Sequence, residues 1–227
     1  FKPGIFRGHD LENHLARIAN YYLAIKDGHI PPRWAKNLNH KFGYPVFNFL
    51  YPLANILSYP LVVIGFNIET SLKIILLSAY FSSGLFFYLW SKKHFSFWSA
   101  FIGAVFYICA PYQFVDLFVR GIVGENLTFA LFPAVLYFLN LLKEKLKLSR
   151  FLFLVIGLFL FCLSHNILVL IFSPLILLYW FYLLKVDKRK GFLKWSGLAL
   201  VCGFLSSSFF WIPALLEKKY ITLNAFN

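Results

Sequence analysis

The chain has 227 residues, of which 60% are hydrophobic and 21% aromatic, against only 14% charged. Soluble domains are about 45–50% apolar, so this chain carries more apolar surface than a globular core can bury. The formal net charge of +13 would suggest nucleic acid as a partner. Here, however, the bases form short clusters between apolar runs, which is typical of membrane topology signals. We therefore expect an all-α, polytopic transmembrane helical bundle that contacts the lipid bilayer and no nucleic acid.

The segment that begins GHDLENHLAR predicts one amphipathic helix, with Asp10 at its N-cap position and Gly28 at its C-terminal stop. An apolar stripe on this helix suits contact with the membrane or with neighbouring helices. A second stripe points a carboxylate, an imidazole and a guanidinium in nearly one direction. It is either a hydrated face with Asp10 as a cap, or part of a site. The apolar stripe comprises Leu11, Leu15, Ile18, Tyr22 and Ile25, and the second stripe comprises Asp10, His14, Arg17 and Tyr21.

Residues 45–66 are apolar but contain Pro45, Pro52 and Pro60. Proline removes a backbone hydrogen bond and clashes with the preceding helical turn. The pattern favours a bent interfacial or re-entrant element, and the alternative is an ordinary kinked span. Under the first interpretation, residues 1–66 form one extracytoplasmic loop with membrane-parallel helices.

Transmembrane helices are predicted within residues 70–214, since a span needs about 20 apolar residues. The Lys- and Arg-rich loops that follow residues 91, 142 and 184 are cytoplasmic by the positive-inside rule. The other connections and most acidic residues then face the extracytoplasmic side. We expect a single transmembrane domain over 1–227, with further sequence before and after it. The predicted spans are 71–91, 95–112, 126–142, 151–164 joined closely to 166–184, and 192–214.

Two connections on the predicted outer side carry ionisable residues. In 113–125, Arg120 suits a phosphate because its planar fork makes bidentate hydrogen bonds. The alternative is an internal pair with Asp116 one turn away, before a sharp turn that Gly121 and Gly124 allow. In the second connection, His165 of the triplet SHN either contacts a phosphate or carboxylate, or terminates two helices.

Several chemistries lack support in the sequence. Cys109, Cys162 and Cys202 lie in apolar runs without metal-ligand spacing, which predicts packing residues and neither a disulfide framework nor a metal site. Dinucleotide-binding, Walker, zinc-protease, serine-hydrolase and kinase motifs are not found.

The order of these features resembles the GT-C superfamily of integral membrane glycosyltransferases. More narrowly, the chain resembles the prokaryotic membrane proteins described as related to 6-pyruvoyl-tetrahydropterin synthase, a description that we do not take to mean pterin chemistry. The stretches that carry the resemblance are GHDLENHLAR, GHIPPRW, FGYPVFNFLYPL, APYQFVDLFVRGIVGE and LSHN.

The resemblance implies an inverting transfer of a sugar from a polyprenyl-phosphate donor to a glycan, lipid or protein acceptor, on the extracytoplasmic side of the cell membrane. Asp10 would be the general base, or a ligand where a divalent metal ion is used. Here His9 precedes Asp10, whereas the family pattern often pairs two acids. Arg120, with Arg17 or Arg33, would hold the phosphate, and His14, Glu125 and His165 would contact substrate.

Two other functions compete with this one. A transporter or flippase of lipid-linked glycans should show inverted repeats and charges at mid-bilayer, whereas the acids here collect at one face. A non-catalytic membrane scaffold would keep the fold without the chemistry.

Overall fold

A computed structural model of the protein describes residues 8–220, so residues 1–7 and 221–227 of the predicted outer loop and C-terminal tail lie outside it. Within the described range the chain is helical, with no strand beyond one isolated antiparallel bridge between Ala35 and Tyr44. The all-α prediction is confirmed. The helices are α1 Leu11–Lys26, α2 Val46–Phe49, α3 Leu53–Val63, α4 Ile68–Ser91, α5 Phe97–Ile108, α6 Pro111–Val115, α7 Val123–Glu144, α8 Leu148–Ser164, α9 Asn166–Val186, α10 Lys190–Ser206 and α11 Ser208–Glu217.

Four helical stretches of residues 8–220 are long and apolar enough to cross a membrane, and α10 with α11 forms a fifth candidate bent by 56°. The prediction of a polytopic helical bundle is therefore confirmed. α8, with 17 residues, is shorter than a typical span. The four unbent candidates are Ile68–Ser91, Phe97–Arg120, Val123–Glu144 and Asn166–Val186.

The predicted boundary between the span 95–112 and its connection is wrong. The helical run continues through α6 into a π-helical turn at Asp116–Arg120. The chain then reverses at Gly121, whose φ of 69° lies in the left-handed region that glycine adopts without strain. The connection before α7 is thus only two residues long.

The predicted continuous span 192–214 is broken at Ser207, between α10 and α11. The Ser206 hydroxyl donates to the Cys202 carbonyl at 2.7 Å, and the Ser207 hydroxyl to the Phe204 carbonyl at 2.6 Å. Serine hydroxyls that bond back to helix carbonyls favour bends.

Residues 45–66 do not form one kinked helix, because α2 and α3 are separated by Leu50, Tyr51 and Pro52. α3 has 11 residues and is about 17 Å long, against about 30 Å of hydrocarbon. The membrane-parallel orientation of this region stays a prediction.

α7 lies at the centre of the bundle and is largely buried, whereas α9 is mostly exposed. One core cluster joins α1, α3, α4 and α7 through residues such as Leu11, Leu53 and Leu72. A second cluster joins α7 to α8, α9 and α10. The apolar stripe of α1 therefore packs partly on neighbouring helices, with Leu11 and Ile18 fully buried.

Candidate functional site

Asp10 lies where the segment that precedes α1 contacts the π-helical turn. Its backbone N–H donates to the Arg120 carbonyl at 3.0 Å, and the His9 N–H donates to the Val119 carbonyl at 3.1 Å. The Asp10 carboxylate makes no capping bond to α1; it accepts only a long bond from Asn13 Nδ2, at 3.4 Å, among the residues that the structure describes. Asp10 does stand at the predicted N-cap position, but its side chain does not cap α1, and the carboxylate stays available.

Arg120 forms a tight ion pair with Glu125. Its Nη1 and Nη2 atoms donate to the two Glu125 carboxylate oxygens at 3.0 and 2.8 Å. The Tyr112 hydroxyl accepts from Arg120 and donates to Glu125 at 2.7 Å. The Arg120 side chain is 32% exposed and that of Glu125 is 6% exposed, so the pair is largely desolvated. An internal pair does hold this turn, with Glu125 as the main partner of Arg120.

Asp116, the partner predicted for Arg120, is only a secondary one, with its Oδ1 3.5 Å from Arg120 Nη1. Asp116 Oδ2 instead accepts from Asn126 Nδ2 at 2.8 Å. Asp116 Oδ1 and Asn126 Oδ1 are buried and make no hydrogen bond with the described residues. Such orphaned acceptors are rare in folded proteins, so these two oxygens are an unusual feature of the turn.

Tyr51, between α2 and α3, stands among the predicted site residues. Its ring centroid lies 4.7 Å from that of His165 and 6.3 Å from that of His14. Burial raises the pKa of the Tyr51 hydroxyl to about 12, and the charges of Arg17, Asp10, Glu125 and Asp116 lie close enough to act on it too. The residues Asp10, His14, Arg17, Tyr51, Asp116, Arg120, Glu125 and His165 therefore form one group, which we call the Tyr51 cluster.

Gly124 makes the position of Tyr51 possible. A Cβ at Gly124 would lie 2.4 Å from Tyr51 Cε2 and 2.7 Å from the Ser164 carbonyl oxygen. Gly124 is the second residue of α7 and takes no part in the turn that the sequence assigned to it. Its role is the close approach of α7 to Tyr51 and to the end of α8.

His14 is 3% exposed, and its Nε2 atom has no hydrogen-bond partner in the described part of the chain. Burial, assisted by the charge of Arg17, lowers its pKa from 6.5 to about 4, so the ring is neutral at pH 7. Tyr21, in the same predicted stripe, is also buried. The stripe is therefore not a hydrated face.

His165 terminates two helices, as one interpretation predicted. Its Nδ1 accepts from the Leu168 N–H at 3.2 Å and so caps α9. Burial lowers the pKa of its ring, and the charges of Glu125 and Arg120 act on it as well. The residue thus combines a structural bond with a place beside Tyr51.

The two further arginines occupy different surroundings. Arg17 is half-buried beside His14 and Tyr51, and no ion pair to it is found among residues 8–220. Arg33 instead donates to Asn48 Oδ1 at 3.1 Å and lies 3.6 Å from Glu217 Oε1. Of the two, only Arg17 belongs to the Tyr51 cluster.

The Tyr51 cluster holds the acidic side chains of Asp10, Asp116 and Glu125 and the guanidinium groups of Arg17 and Arg120. It offers a proton acceptor in Asp10, an uncommitted cation in Arg17 and an aromatic ring in Tyr51. No group of three or more His, Cys, Asp or Glu side chains in the described range could share a metal ion. Sequence reasoning missed Tyr51, Tyr112 and Asn126 as site residues, although each is a polar residue that interrupts an apolar run.

The apolar helices and the polar cluster at their ends define a polytopic α-helical integral membrane protein. Residues 47–225 match the family described as "6-pyruvoyl-tetrahydropterin synthase related domain; membrane protein". The chain belongs to this family, which confirms the narrower of the two resemblances. α1 and Asp10 precede the matched residues.

The chain is also 25% identical, over 242 aligned residues, to an uncharacterized protein of Lactococcus lactis subsp. cremoris. All of the chain is covered by this alignment, but it spans only 38% of that relative's length. No solved structure matches the chain.

Proposed function

We propose that the chain forms part of a glycosyltransferase that moves a sugar from a polyprenyl-phosphate donor to an acceptor hydroxyl on the extracytoplasmic side of the membrane. The observation that supports this most is the Asp10 carboxylate. It makes no capping bond to α1, although Asp10 is the N-cap residue, and the backbone holds it against the turn that carries Arg120. The motif order described above supports the sugar-transfer chemistry, and the orientation of the site is part of the proposal.

In this reaction, Asp10 accepts the proton of the acceptor hydroxyl as the hydroxyl oxygen forms a bond to the anomeric carbon. The bond between that carbon and the phosphate oxygen breaks on the opposite face. The electron pair leaves with the polyprenyl phosphate, and the anomeric configuration inverts. The base role needs a carboxylate with free lone pairs, and the Asp10 carboxylate accepts only the long bond from Asn13 among the described residues.

The negative charge that develops on the departing phosphate needs cationic donors aimed at it. Arg17 suits this role best, since no other described residue neutralises it. Arg120 is committed to Glu125 through both terminal nitrogens, so it contributes to phosphate binding only where a ligand displaces part of that pair. Arg33 donates to Asn48 and lies 3.6 Å from Glu217, so we give it no part in this step.

The test compares Asp10→Asn with Glu12→Gln in the full-length protein, measuring transfer of labelled sugar from a polyprenyl-phosphate donor. Glu12 is an exposed acid of the same helix, so it controls for loss of charge on α1. We expect transfer by Asp10→Asn to fall by about 10²–10⁴-fold and transfer by Glu12→Gln to stay unchanged.

Undiminished transfer by Asp10→Asn removes the base role. If the wild-type protein transfers nothing but moves a fluorescent lipid-linked glycan across proteoliposomes, the transporter alternative replaces the proposal. If it does neither, the scaffold alternative is favoured.

A further inference from the structure

Residues 28–44, which we call the 28–44 loop, carry exposed apolar side chains, and all of their charged residues are basic. The loop contains Arg33, Lys36 and Lys41 and two histidines, but no acidic residue. Its large apolar side chains face outward from the described protein. Phe42 is 80% exposed, Ile30 77% and Trp34 52%.

The backbone of the loop holds Phe42 at its tip. Asn39, His40 and Lys41 have φ values of 51°, 53° and 71°, in a left-handed region that non-glycine residues rarely adopt. The Ala35 N–H donates to the Tyr44 carbonyl at 3.0 Å and closes the base of the loop. Costly conformations of this kind persist where the surroundings enforce them, so the outward position of Phe42 is built into the fold.

The loop is fastened to the end of an apolar helix. Arg33 bonds to Asn48 and lies 3.6 Å from Glu217, the last residue of α11. Leu215 and Leu216 of that helix are each 67% exposed, and α10 with α11 has the apolarity of a membrane span. The loop therefore lies beside one end of a candidate membrane span.

The basic residues of the loop indicate which lipid headgroups it contacts. Lys36 is paired with Asp27, and Arg33 lies beside Glu217. Lys41 forms no ion pair with another residue of the described range. This free cation stands next to the exposed Phe42 ring. Tryptophan and other aromatic side chains beside basic residues favour the interface of anionic membranes.

We propose that the 28–44 loop docks into the headgroup layer of a bilayer that contains anionic phospholipid, with Phe42 and Trp34 inserted and Lys41 against a lipid phosphate. The docking requires no glycosyl transfer, so the result of its test is independent of the proposed function. It would hold the Tyr51 cluster at a set height above the membrane.

The test uses the full-length protein with Cys109, Cys162 and Cys202 replaced by serine, and a nitroxide attached at Phe42→Cys. Glu12→Cys, on the exposed side of α1, is the control site. The protein is placed in nanodiscs of phosphatidylcholine alone or with phosphatidylglycerol. Collisions of the label with oxygen, which concentrates in lipid, are compared with those of a water-soluble nickel chelate.

We expect the label at position 42 to favour oxygen in discs with phosphatidylglycerol and the label at position 12 to favour nickel. Replacing Lys41 by Gln should weaken docking about five-fold in those discs, as expected for one cation near an anionic surface, and should change nothing in phosphatidylcholine. Preference for nickel at position 42 overturns the proposal. Inaccessibility to both reagents also overturns it, because other protein then covers the loop. Equal results in the two lipids overturn the requirement for anionic headgroups.

Discussion

The contact between Gly124 and Tyr51 allows a sharp test of the Tyr51 cluster. In Gly124→Ala, the new methyl would lie 2.7 Å from a backbone carbonyl, that of Ser164, and 2.4 Å from the Tyr51 ring. The ring can move away but the carbonyl belongs to the end of α8 and cannot rotate freely. The variant should therefore displace Tyr51 from His165 and separate α7 from α8.

The expected loss of stability is estimated by comparison with a glycine where an added Cβ would meet no close contact. Overpacking of this kind lowers the free energy of unfolding by about 1–3 kcal/mol. The higher helix propensity of alanine raises it by at most about 1 kcal/mol. Gly197 of α10 is the matched control, since the nearest atom to a Cβ there is Trp180 Cζ2 at an ordinary 3.7 Å. Gly197→Ala gains propensity without the clash, so Gly124→Ala should be less stable than Gly197→Ala by about 1–3 kcal/mol.

Thermal unfolding of the full-length protein in detergent measures this difference. At about 2–4 °C per kcal/mol, the melting temperatures of the two variants should differ by several degrees, with Gly124→Ala lower. Equal melting temperatures would refute the close approach of α7 to Tyr51. Lower stability without loss of sugar transfer would show that the approach matters for the fold alone.

Two further predictions concern buried ionisable groups. The pKa of His14 is about 4 when folded against 6.5 ordinarily, so only the unfolded chain binds its proton between these values. The free energy of unfolding should therefore fall as the pH drops from 6.5 to 4, by up to about 3 kcal/mol; this fall should be absent in His14→Gln melting curves. Arg120→Ala leaves Glu125 and Asp116 without their cation and should cost about 3 kcal/mol, less than a fully buried pair because Arg120 is partly exposed. Thermal melts of Arg120→Ala, Glu125→Ala and the double variant should show coupling, and additive losses would contradict the pair.

The glycosyltransferase proposal and the loop proposal respond differently to these changes. Displacing Tyr51 or His14 perturbs the Tyr51 cluster but leaves Phe42 and Lys41 at the tip of the 28–44 loop. The collision measurements should therefore be unchanged in Gly124→Ala, even where sugar transfer is lost.

Much of the fold could be predicted from local patterns. The extent of α1 followed from its helical periodicity and from Gly28, and the prolines predicted that 45–66 is not one regular helix. The failures occurred where contacts between distant segments decided the outcome. Hydropathy does not predict the serine-bonded break at Ser207 or the extension of the α5 run into a π-helical turn, because both depend on which carbonyls the backbone and the serine hydroxyls bond to.

The candidate site was likewise predicted only in part from the sequence. The sequence marked Asp10, Arg120, Glu125 and His165 because ionisable residues between apolar runs are costly unless they are used. It did not reveal that Arg120 is already neutralised by Glu125, or that Tyr51 joins the two histidines.

By itself, the sequence determined that this chain is a helical membrane protein, because hydropathy and the spacing of basic residues are properties of each segment. Only the tertiary structure decided which charges remain free, since that depends on how the turn at Gly121 and the packing of the helices orient the side chains. Tyr51, Gly124 and His165 come together because α2, α7 and α8 converge on one point. The reversal of the chain at Gly121 brings Arg120 onto Glu125, and Arg17 has no ion pair among the described residues.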